Sequence, residues 1–194
     1  MLTVTDADVD DRQTLRCNTS EPSVFELALE MPNTYRLTTA RPLDREEQAV
    51  HLLQITCVDR PNASDALRDT AELRVVVEDV NDNAPRFERE RFDVSVREEL
   101  PMLTELDAHP IRATDADAGN NSLVRYELEQ PALTFFAINE TTGVLRTRRV
   151  FDYEKKSDRE PIEFRVFAKD GVHTSTATIV ARVVCYNTSY VQRD

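Results

Sequence analysis

The clearest regularity in the chain is a series of short segments in which apolar and polar residues alternate. Residues 2–5 and 53–59 alternate in this way, and the pattern returns at residues 92–96 and 123–128. A period of two is typical of β-strands with one buried face, and almost no helical periodicity accompanies it. Short strands with turn residues between them predict an all-β sandwich.

The same order of features occurs twice along the chain. Three acidic landmarks recur at nearly one period: Asp6 and Asp115 at 109 positions, Asp44 and Asp152 at 108, and Asp59 and Asp170 at 111. Repeats of this length are whole domains joined in a row. We therefore predict two tandem domains, residues 1–84 and 85–194, each long enough to bury a core of its own.

A run of oxygen-bearing side chains, residues 79–85, lies between the two predicted domains. Its sequence is Asp-Val-Asn-Asp-Asn-Ala-Pro. Carboxylate, amide and carbonyl oxygens suit a flexible calcium site with about six to eight ligands, whereas magnesium requires a more rigid octahedron. Pro85 lacks an N–H group and keeps the connection extended. The alternative is a solvated turn, because Asn and Asp favour turns by themselves.

The net charge limits the partners that the chain can bind. The 194 residues carry a formal charge of −12, and nucleic acid calls for clustered Lys and Arg, so we expect no nucleic-acid partner. Grouped carboxylates repel one another unless cations neutralise them. The acidity therefore indicates metal binding or a cationic partner, with a merely solvated acidic surface as the alternative.

No residue pattern indicates catalysis or a membrane span. The histidines at positions 51, 109 and 173 are scattered, and three glycines provide no phosphate-binding loop, so we predict that the chain is not an enzyme. These histidines are interpreted as surface or satisfied side chains. No apolar run could cross a bilayer, and no secretory signal follows Met1, so we expect a cytosolic protein or an excised fragment.

Several motifs, taken in order, resemble the extracellular repeats of the cadherin and protocadherin superfamily. They are the linker at 79–85, Leu-Asp-Arg-Glu at 43–46, Phe-Asp-Tyr-Glu at 151–154, Ala-Thr-Asp-Ala-Asp at 113–117 with Gly119 and Asn121, Thr-Gly at 142–143, and Ala-Lys-Asp-Gly at 168–171. The resemblance implies two tandem seven-stranded Greek-key β-sandwiches of the immunoglobulin-like kind. It also implies calcium ions at the junction between successive repeats.

The resemblance further implies which residues bind calcium. The first repeat and the linker would contribute the side chains of Asp44, Glu46, Asp79, Asn81 and Asp82, with backbone carbonyls from Val80 and Asn83. The second repeat would contribute Asp115, Asp117 and Asp170, with a carbonyl from Asn121. Carboxylates crowded at one junction repel one another, so we expect calcium to turn a freely hinged junction into a rigid joint.

The chain departs from the family pattern at both ends. We expect the first repeat to begin directly at its second strand and so to lack the opening strand, whose Glu ligand is matched by Glu98 in the second repeat. Aligning the last strands places Cys185 where Asp79 would be and Thr188 where Asp82 would be. The incomplete sets are expected to bind calcium weakly or not at all: Glu98, Asp152 and Glu154 at one end, and Asp6, Asp8 and Asp59 at the other.

The three cysteines leave two interpretations open. Matching positions in the two repeats place Cys17 and Cys57 facing inward on strands that are neighbours in the family's sandwich. An extracellular setting would permit a bridge between them, and two buried thiols acting as small apolar residues are the alternative. Cys185 would then be left without a partner cysteine.

Sequons for N-glycosylation, which indicate an exposed surface of a secreted protein, occur at Asn18, Asn62, Asn120, Asn139 and Asn187.

Two functions are consistent with the resemblance. The first is calcium-dependent cell–cell adhesion, in which a membrane-anchored array of repeats recognises another cadherin, like or unlike itself. The second is a structural spacer whose repeats set length and stiffness while recognition lies elsewhere. Either would place the chain on the extracellular face of the plasma membrane as part of a larger membrane protein, although this chain itself has no membrane span.

Overall fold

Nearly all regular structure in the chain is β-strand, so the predicted all-β class is confirmed. The computed structural model describes residues 2–4, 15–31, 34–59, 66–106 and 110–185. The chain divides into two units, Met1–Asp79 and Val80–Asp194, somewhat N-terminal to the boundary predicted at residues 84/85. Neither helix in the described ranges has the length or the apolar composition needed to cross a bilayer.

The strands of the first unit form two three-stranded antiparallel sheets. One sheet has the order β1–β4–β3 and the other has the order β2–β5–β6. Among the described residues no strand pairs with the outer edge of β6. The bounds are β1 Leu2–Thr3, β2 Arg16–Thr19, β3 Phe25–Met31, β4 Thr34–Thr39, β5 Val50–Val58 and β6 Arg68–Val76.

The core of the first unit is built on the alternation of β5. Leu53 and Ile55 are buried, as the sequence predicts, and each belongs to a separate small apolar cluster. His51, one step earlier on the same face, is also buried and lies with its Nδ1 atom 3.0 Å from Glu21 Oε2. It is therefore a satisfied core histidine, which agrees with the interpretation from sequence.

A disulfide joins the two sides of the β2–β5 pair. Cys17 and Cys57 lie directly opposite each other in the ladder, with their Cα atoms 4.0 Å apart, and their sulfur atoms are bonded. The backbone N–H of Cys17 also donates to the Tyr35 hydroxyl at 3.2 Å. Of the two interpretations left open by the sequence, the structure has the bridge, and Cys185 remains an exposed free thiol.

The second unit contains a four-stranded sheet of order β10–β13–β14–β8, opposed by the short pairs β7–β9 and β11–β12. An isolated bridge between Glu105 and Arg146 extends the second layer. The bounds are β7 Arg86–Phe87, β8 Arg91–Arg97, β9 Ala113–Thr114, β10 Arg125–Leu128, β11 Phe136–Ile138, β12 Leu145–Thr147, β13 Ile162–Lys169 and β14 Thr174–Val184. A 3-10 helix at Gln130–Thr134 and a short α-helix, α1 Lys156–Arg159, interrupt the strands.

The opening strand of the second unit is split between the two layers. Its first part, β7, pairs antiparallel with β9, whereas β8 pairs parallel with β14 in the other sheet. Phe92, Val94 and Val96 of β8 are buried, as their alternation predicts. Counting β7 and β8 as one interrupted strand, the described residues of the unit form the seven strands expected of the sandwich.

Aromatic stacking and one close backbone approach define the core of the second unit. The ring of Phe136 stacks on Phe151 at 5.5 Å and on Phe164 at 5.1 Å between centroids, and all three rings are buried. Gly143 has a φ of +68°, and a Cβ atom there would lie 2.0 Å from the carbonyl oxygen of Ile111. The position therefore has room only for hydrogen.

Candidate metal centre

Three carboxylates of the second unit converge at the ends of its strands. Asp115 and Asp117 follow β9, and Asp170 follows β13. Each offers an oxygen that lies within 4.8 Å of an oxygen from the other two. Asp117 is 7% exposed, and the side chain of Asp170 has no exposed surface. The sequence predicted that these three residues belong to one site, and the structure brings them together.

Hydrogen bonds fix the orientation of the first two carboxylates. The backbone N–H of Asp117 donates to Asp115 Oδ1 at 2.9 Å. Both oxygens of Asp117 accept from Asn83, Oδ1 from the side-chain Nδ2 at 2.8 Å and Oδ2 from the backbone N–H at 3.3 Å. The second oxygen of Asp115, Oδ2, is buried and has no hydrogen-bond partner in the described part of the chain.

The unpartnered oxygen of Asp115 tests whether a cation fits this cluster. A buried polar atom left without a partner costs roughly 1–3 kcal/mol, so native structures rarely keep one without a reason. The cluster consists of oxygen donors alone, which is the donor set of calcium and magnesium rather than of zinc or copper. The residues present therefore fit a hard divalent cation.

Asp170 is held ionised by the turn in which it lies. Its Oδ1 accepts from the backbone N–H groups of Val172 at 2.7 Å and His173 at 2.6 Å, and its Oδ2 lies 3.0 Å from His173 Nδ1. Burial, the largest single effect, raises the pKa of Asp170, but the hydrogen bonds from His173 and Val172 together outweigh it. The pKa of this carboxyl group consequently lies below its usual range.

The segment that follows Asp79 supplies further oxygen atoms to the second unit. Asn81 Oδ1 lies 3.0 Å from His173 Nδ1. The exposed Asp82 donates its backbone N–H to the Val80 carbonyl at 2.9 Å and accepts at Oδ1 from Asn83 Nδ2 at 3.0 Å. The segment is thus ordered by its own side chains before it reaches the buried Pro85.

Asn121 lies in the turn after Gly119. Its backbone N–H donates to the Ala118 carbonyl at 3.2 Å, and Ser122 Oγ donates to the Gly119 carbonyl at 3.0 Å. Gly119 has a φ of +59°, which closes this turn. The predicted role of the Asn121 carbonyl as a ligand stays a prediction.

The predicted ligands of the first unit are arranged around an arginine. Asp44 Oδ1 accepts from the backbone N–H groups of Glu46 at 2.8 Å and Glu47 at 3.2 Å, which folds the acidic turn. Arg45 forms ion pairs with both Glu46 and Asp79. The single positive charge of the guanidinium group is therefore shared between two of the carboxylates that the resemblance assigned to calcium.

A third acidic group lies at the far end of the second unit. Glu98, Glu154 and Cys185 offer ligand atoms within 4.8 Å of one another, and the backbone N–H of Tyr153 donates to Glu98 Oε2 at 3.1 Å. A backbone hydrogen bond lowers the pKa of Glu154, but the charge of Glu98, burial and Asp152 together raise it above its usual range. Of the opposite set, Asp59 Oδ1 is buried, and Asp6 and Asp8 lie outside the described residues.

Two side chains near these carboxylates were missed by the reasoning from sequence. His173 was treated as an isolated histidine, although it follows the predicted ligand Asp170 by three positions and its ring contacts that residue. Arg45 was read only as part of a motif, although its charge is opposite to that of the acidic residues beside it. In both cases the available signal was a basic side chain within, or two positions beyond, a motif predicted to bind calcium.

Comparison with known proteins agrees with this fold. The family model for the cadherin domain matches residues 92–184. Human Protocadherin-10 is 32% identical over 176 residues, which cover 88% of this chain and 16% of that protein. Extracellular cadherin domains 3–6 of Protocadherin Gamma B2 superpose with a TM-score of 0.75 at 30% identity, covering 89% of this chain and 41% of that one.

A second solved structure extends the comparison beyond protocadherins. Repeats EC22–24 of mouse Cadherin-23 superpose with a TM-score of 0.77 at 27% identity, covering 89% of this chain and 53% of that one. The chain belongs to the cadherin family. Extracellular domains of this family are generally adhesion modules rather than enzymes, and the chain spans less than a fifth of the curated relatives that it matches.

Proposed function

We propose that this chain is a calcium-dependent cell–cell adhesion module of a cell-surface cadherin. In this proposal, calcium bound by the linker and by the carboxylates of the second unit stiffens the connection between two repeats. The ligands would be the eleven residues predicted from sequence, of which Asp115, Asp117 and Asp170 form the centre. Another cadherin, like or unlike this one, would be the partner.

The observation that carries the proposal is the buried Oδ2 of Asp115, which lies within a cluster of three carboxylates and has no hydrogen-bond partner among the described residues. Two unit charges at 4.8 Å repel each other by roughly 3–4 kcal/mol at an effective dielectric constant of about 20. A divalent cation would reverse this repulsion and at the same time give the orphaned oxygen a partner. Calcium is favoured over magnesium because it accepts more ligands in a less regular geometry.

Calorimetric titration of the chain with calcium tests the proposal. Asp115→Asn removes one charge and keeps the size of the side chain, so it should weaken binding at least tenfold. Glu163→Gln is the matched control, because Glu163 is an exposed carboxylate at the opposite end of β13 from Asp170. Saturable binding in the wild type and the control, lost in Asp115→Asn, supports the proposal. Equal affinity in all three proteins would contradict it.

An extracellular location is part of the same proposal. The Cys17–Cys57 disulfide is the kind of cross-link that persists in oxidising compartments. Three of the five sequons fall on described residues, and Asn18, Asn120 and Asn139 are all exposed. Mass spectrometry of the chain expressed through a secretory pathway should find glycans on these asparagines. A protein that leaves all three unmodified would argue against the location.

The structural spacer, whose repeats would set length and stiffness while recognition lies elsewhere, remains the second candidate. Adhesion and spacing differ in self-association. Sedimentation velocity in calcium, repeated with excess chelator, should show a calcium-dependent oligomer if the chain carries a like-to-like adhesive surface. A strict monomer in both conditions, together with calcium binding, would favour the spacer or an unlike partner.

A further inference from the structure

His173 connects two of the proposed calcium ligands that lie far apart in sequence. Its Nδ1 atom is 3.0 Å from Asn81 Oδ1 and 3.0 Å from Asp170 Oδ2. The imidazole side chain is 33% exposed, whereas the Asp170 side chain that it contacts is completely shielded. A single ring nitrogen therefore lies between an amide oxygen from the linker segment and a carboxylate oxygen from the β13–β14 turn.

The two partners determine where the proton on the ring must be. Carboxylate and amide oxygens only accept hydrogen bonds, so a ring nitrogen close to both of them has to donate. His173 therefore carries its proton on Nδ1, and one N–H group is shared between Asn81 and Asp170. The tautomer of the imidazole is fixed by its surroundings.

The two carboxylate oxygens of Asp170 have different hydrogen-bond partners, and one of these oxygens is contacted by the His173 ring. Oδ1 is occupied by two backbone N–H groups of its own turn, from Val172 and His173. Oδ2 is the oxygen that the ring contacts. In the described part of the chain, the hydrogen bond of the Asn81 side chain is the one that its Oδ1 accepts from this ring N–H of His173. The His173 ring thus fixes the orientation of Asn81 Oδ1 and Asp170 Oδ2.

We propose that His173 is a positioning residue for the calcium site. Its Nδ1–H holds the amide oxygen of Asn81 and the carboxylate of Asp170 close to a common point, so that an arriving cation meets ligands that have already converged. Hydrogen-bond partners that orient metal ligands in this way typically change metal affinity by about 10–100-fold when they are removed. The inference rests on the proposed function, because it requires that calcium binds at this cluster.

A competing role for the same contact predicts the opposite sign. If the N–H group occupied the place of the cation, it would have to move away before calcium could bind. Removing the donor would then strengthen calcium binding rather than weaken it. The direction of the change in affinity therefore separates positioning from competition.

Calorimetric calcium titration of the full chain with three variants tests the inference. His173→Phe keeps an aromatic ring and removes the N–H donor, so affinity should fall by about 10–100-fold. His173→Asn places an amide N–H near the position of Nδ1 and should restore most of the loss. Val172→Ala is the control, because Val172 is 70% exposed in the same turn and its hydrogen bond to Asp170 comes from the backbone N–H, which alanine keeps. Wild-type or tighter binding by His173→Phe would overturn the inference.

A second measurement does not depend on how the variants fold. Nitrogen-15 chemical shifts of the His173 ring, recorded on the wild-type chain in chelator, should show a proton on Nδ1, and a ring protonated only on Nε2 would overturn the inference. A wild-type chain that binds no calcium would overturn the proposed function and the inference together. Normal wild-type binding that is unchanged in His173→Phe would overturn the inference alone.

Discussion

Asn83 donates two hydrogen bonds to Asp117, one to each carboxylate oxygen. The side-chain Nδ2 lies 2.8 Å from Oδ1, and the backbone N–H lies 3.3 Å from Oδ2. The two residues are separated by 34 positions and belong to the same unit. These hydrogen bonds connect the linker segment to the turn after β9 through protein atoms alone, without a metal ion.

Asn83→Ala should destabilise the second unit even when calcium is removed. The substitution deletes the bond from Nδ2 to a buried carboxylate, and bonds to charged groups contribute roughly 1.5–3 kcal/mol. Asn120→Ala, at an exposed position of the turn after Gly119, is the matched control. Denaturant unfolding in chelator should show a lower midpoint for Asn83→Ala only. Identical midpoints for the two variants would show that this bond adds no stability.

Gly119 and Gly143, two of the three glycines with positive φ, should respond differently to alanine. Both have left-handed backbone angles, which cost a residue with a side chain roughly 1–2 kcal/mol. At Gly119 the new methyl group would meet nothing within 4 Å, whereas at Gly143 it would lie 2.0 Å from the Ile111 carbonyl oxygen. We expect Gly119→Ala to lose about 1–2 kcal/mol in unfolding free energy and Gly143→Ala to lose clearly more. Similar losses in urea unfolding would contradict the close approach.

Removing the Cys17–Cys57 disulfide should destabilise the first unit selectively. The bond spans 40 positions, and closing a loop of that length stabilises a folded chain by about 4 kcal/mol in the chain-entropy model. The double variant Cys17→Ala/Cys57→Ala should therefore unfold earlier in its first unit. Cys185→Ser is the control, because that thiol is free and exposed. Thiol titration of the unfolded, unreduced chain should find one free cysteine, and three would contradict the bridge.

Acid should weaken the second unit through Asp158. Burial, the largest effect, raises the pKa of this carboxyl group, but hydrogen bonds from Arg149 at 2.7 Å, the Asp152 N–H at 3.1 Å and Ser157 at 3.1 Å lower it further than burial raises it. In the unfolded chain the pKa of an aspartate is about 3.9, and in the folded unit the pKa of Asp158 is lower. The ionised carboxylate therefore stabilises the folded unit above about pH 3.9, and this stability is lost as the pH falls below that value.

The measurement for Asp158 is unfolding free energy against pH. The wild type should lose stability steeply below about pH 4, and Asp158→Asn should lose less over the same interval because its side chain cannot take up a proton. Other carboxyl groups contribute equally to both proteins, so the difference between the two curves isolates this residue. Parallel curves would contradict the prediction.

The strands were predictable from sequence because their alternation reflects burial directly. The buried side chains of β8 follow a period of two along the whole strand, and those of β5 follow it from His51 to Ile55. The split between β7 and β8 was not predictable, because pairing with β9 on one side and β14 on the other depends on how the two layers are stacked. The 3-10 helix at Gln130–Thr134 is likewise too short to leave a periodic signal.

The acidic residues of the site were predictable as a group, but their hydrogen-bond partners were not. Asp115, Asp117 and Asp170 stand out because identical residue types recur one domain apart. The contact between Asn81 and His173 joins positions 92 apart, and no local pattern marks it. A sequence motif therefore identified the oxygen donors, while only the folded chain reveals which neighbours orient them.

The disulfide of the first unit has a mechanical consequence for any longer chain that contains it. A fully stretched polypeptide extends by roughly 3.3–3.6 Å per residue, so the 40 positions between Cys17 and Cys57 represent about 130–145 Å of potential extension. While the bond is intact, tension applied at the ends of the chain cannot draw out this loop. A stretching force would lengthen the first unit far less than the second. Reduction of the disulfide would then allow the closed loop to extend in one discrete step.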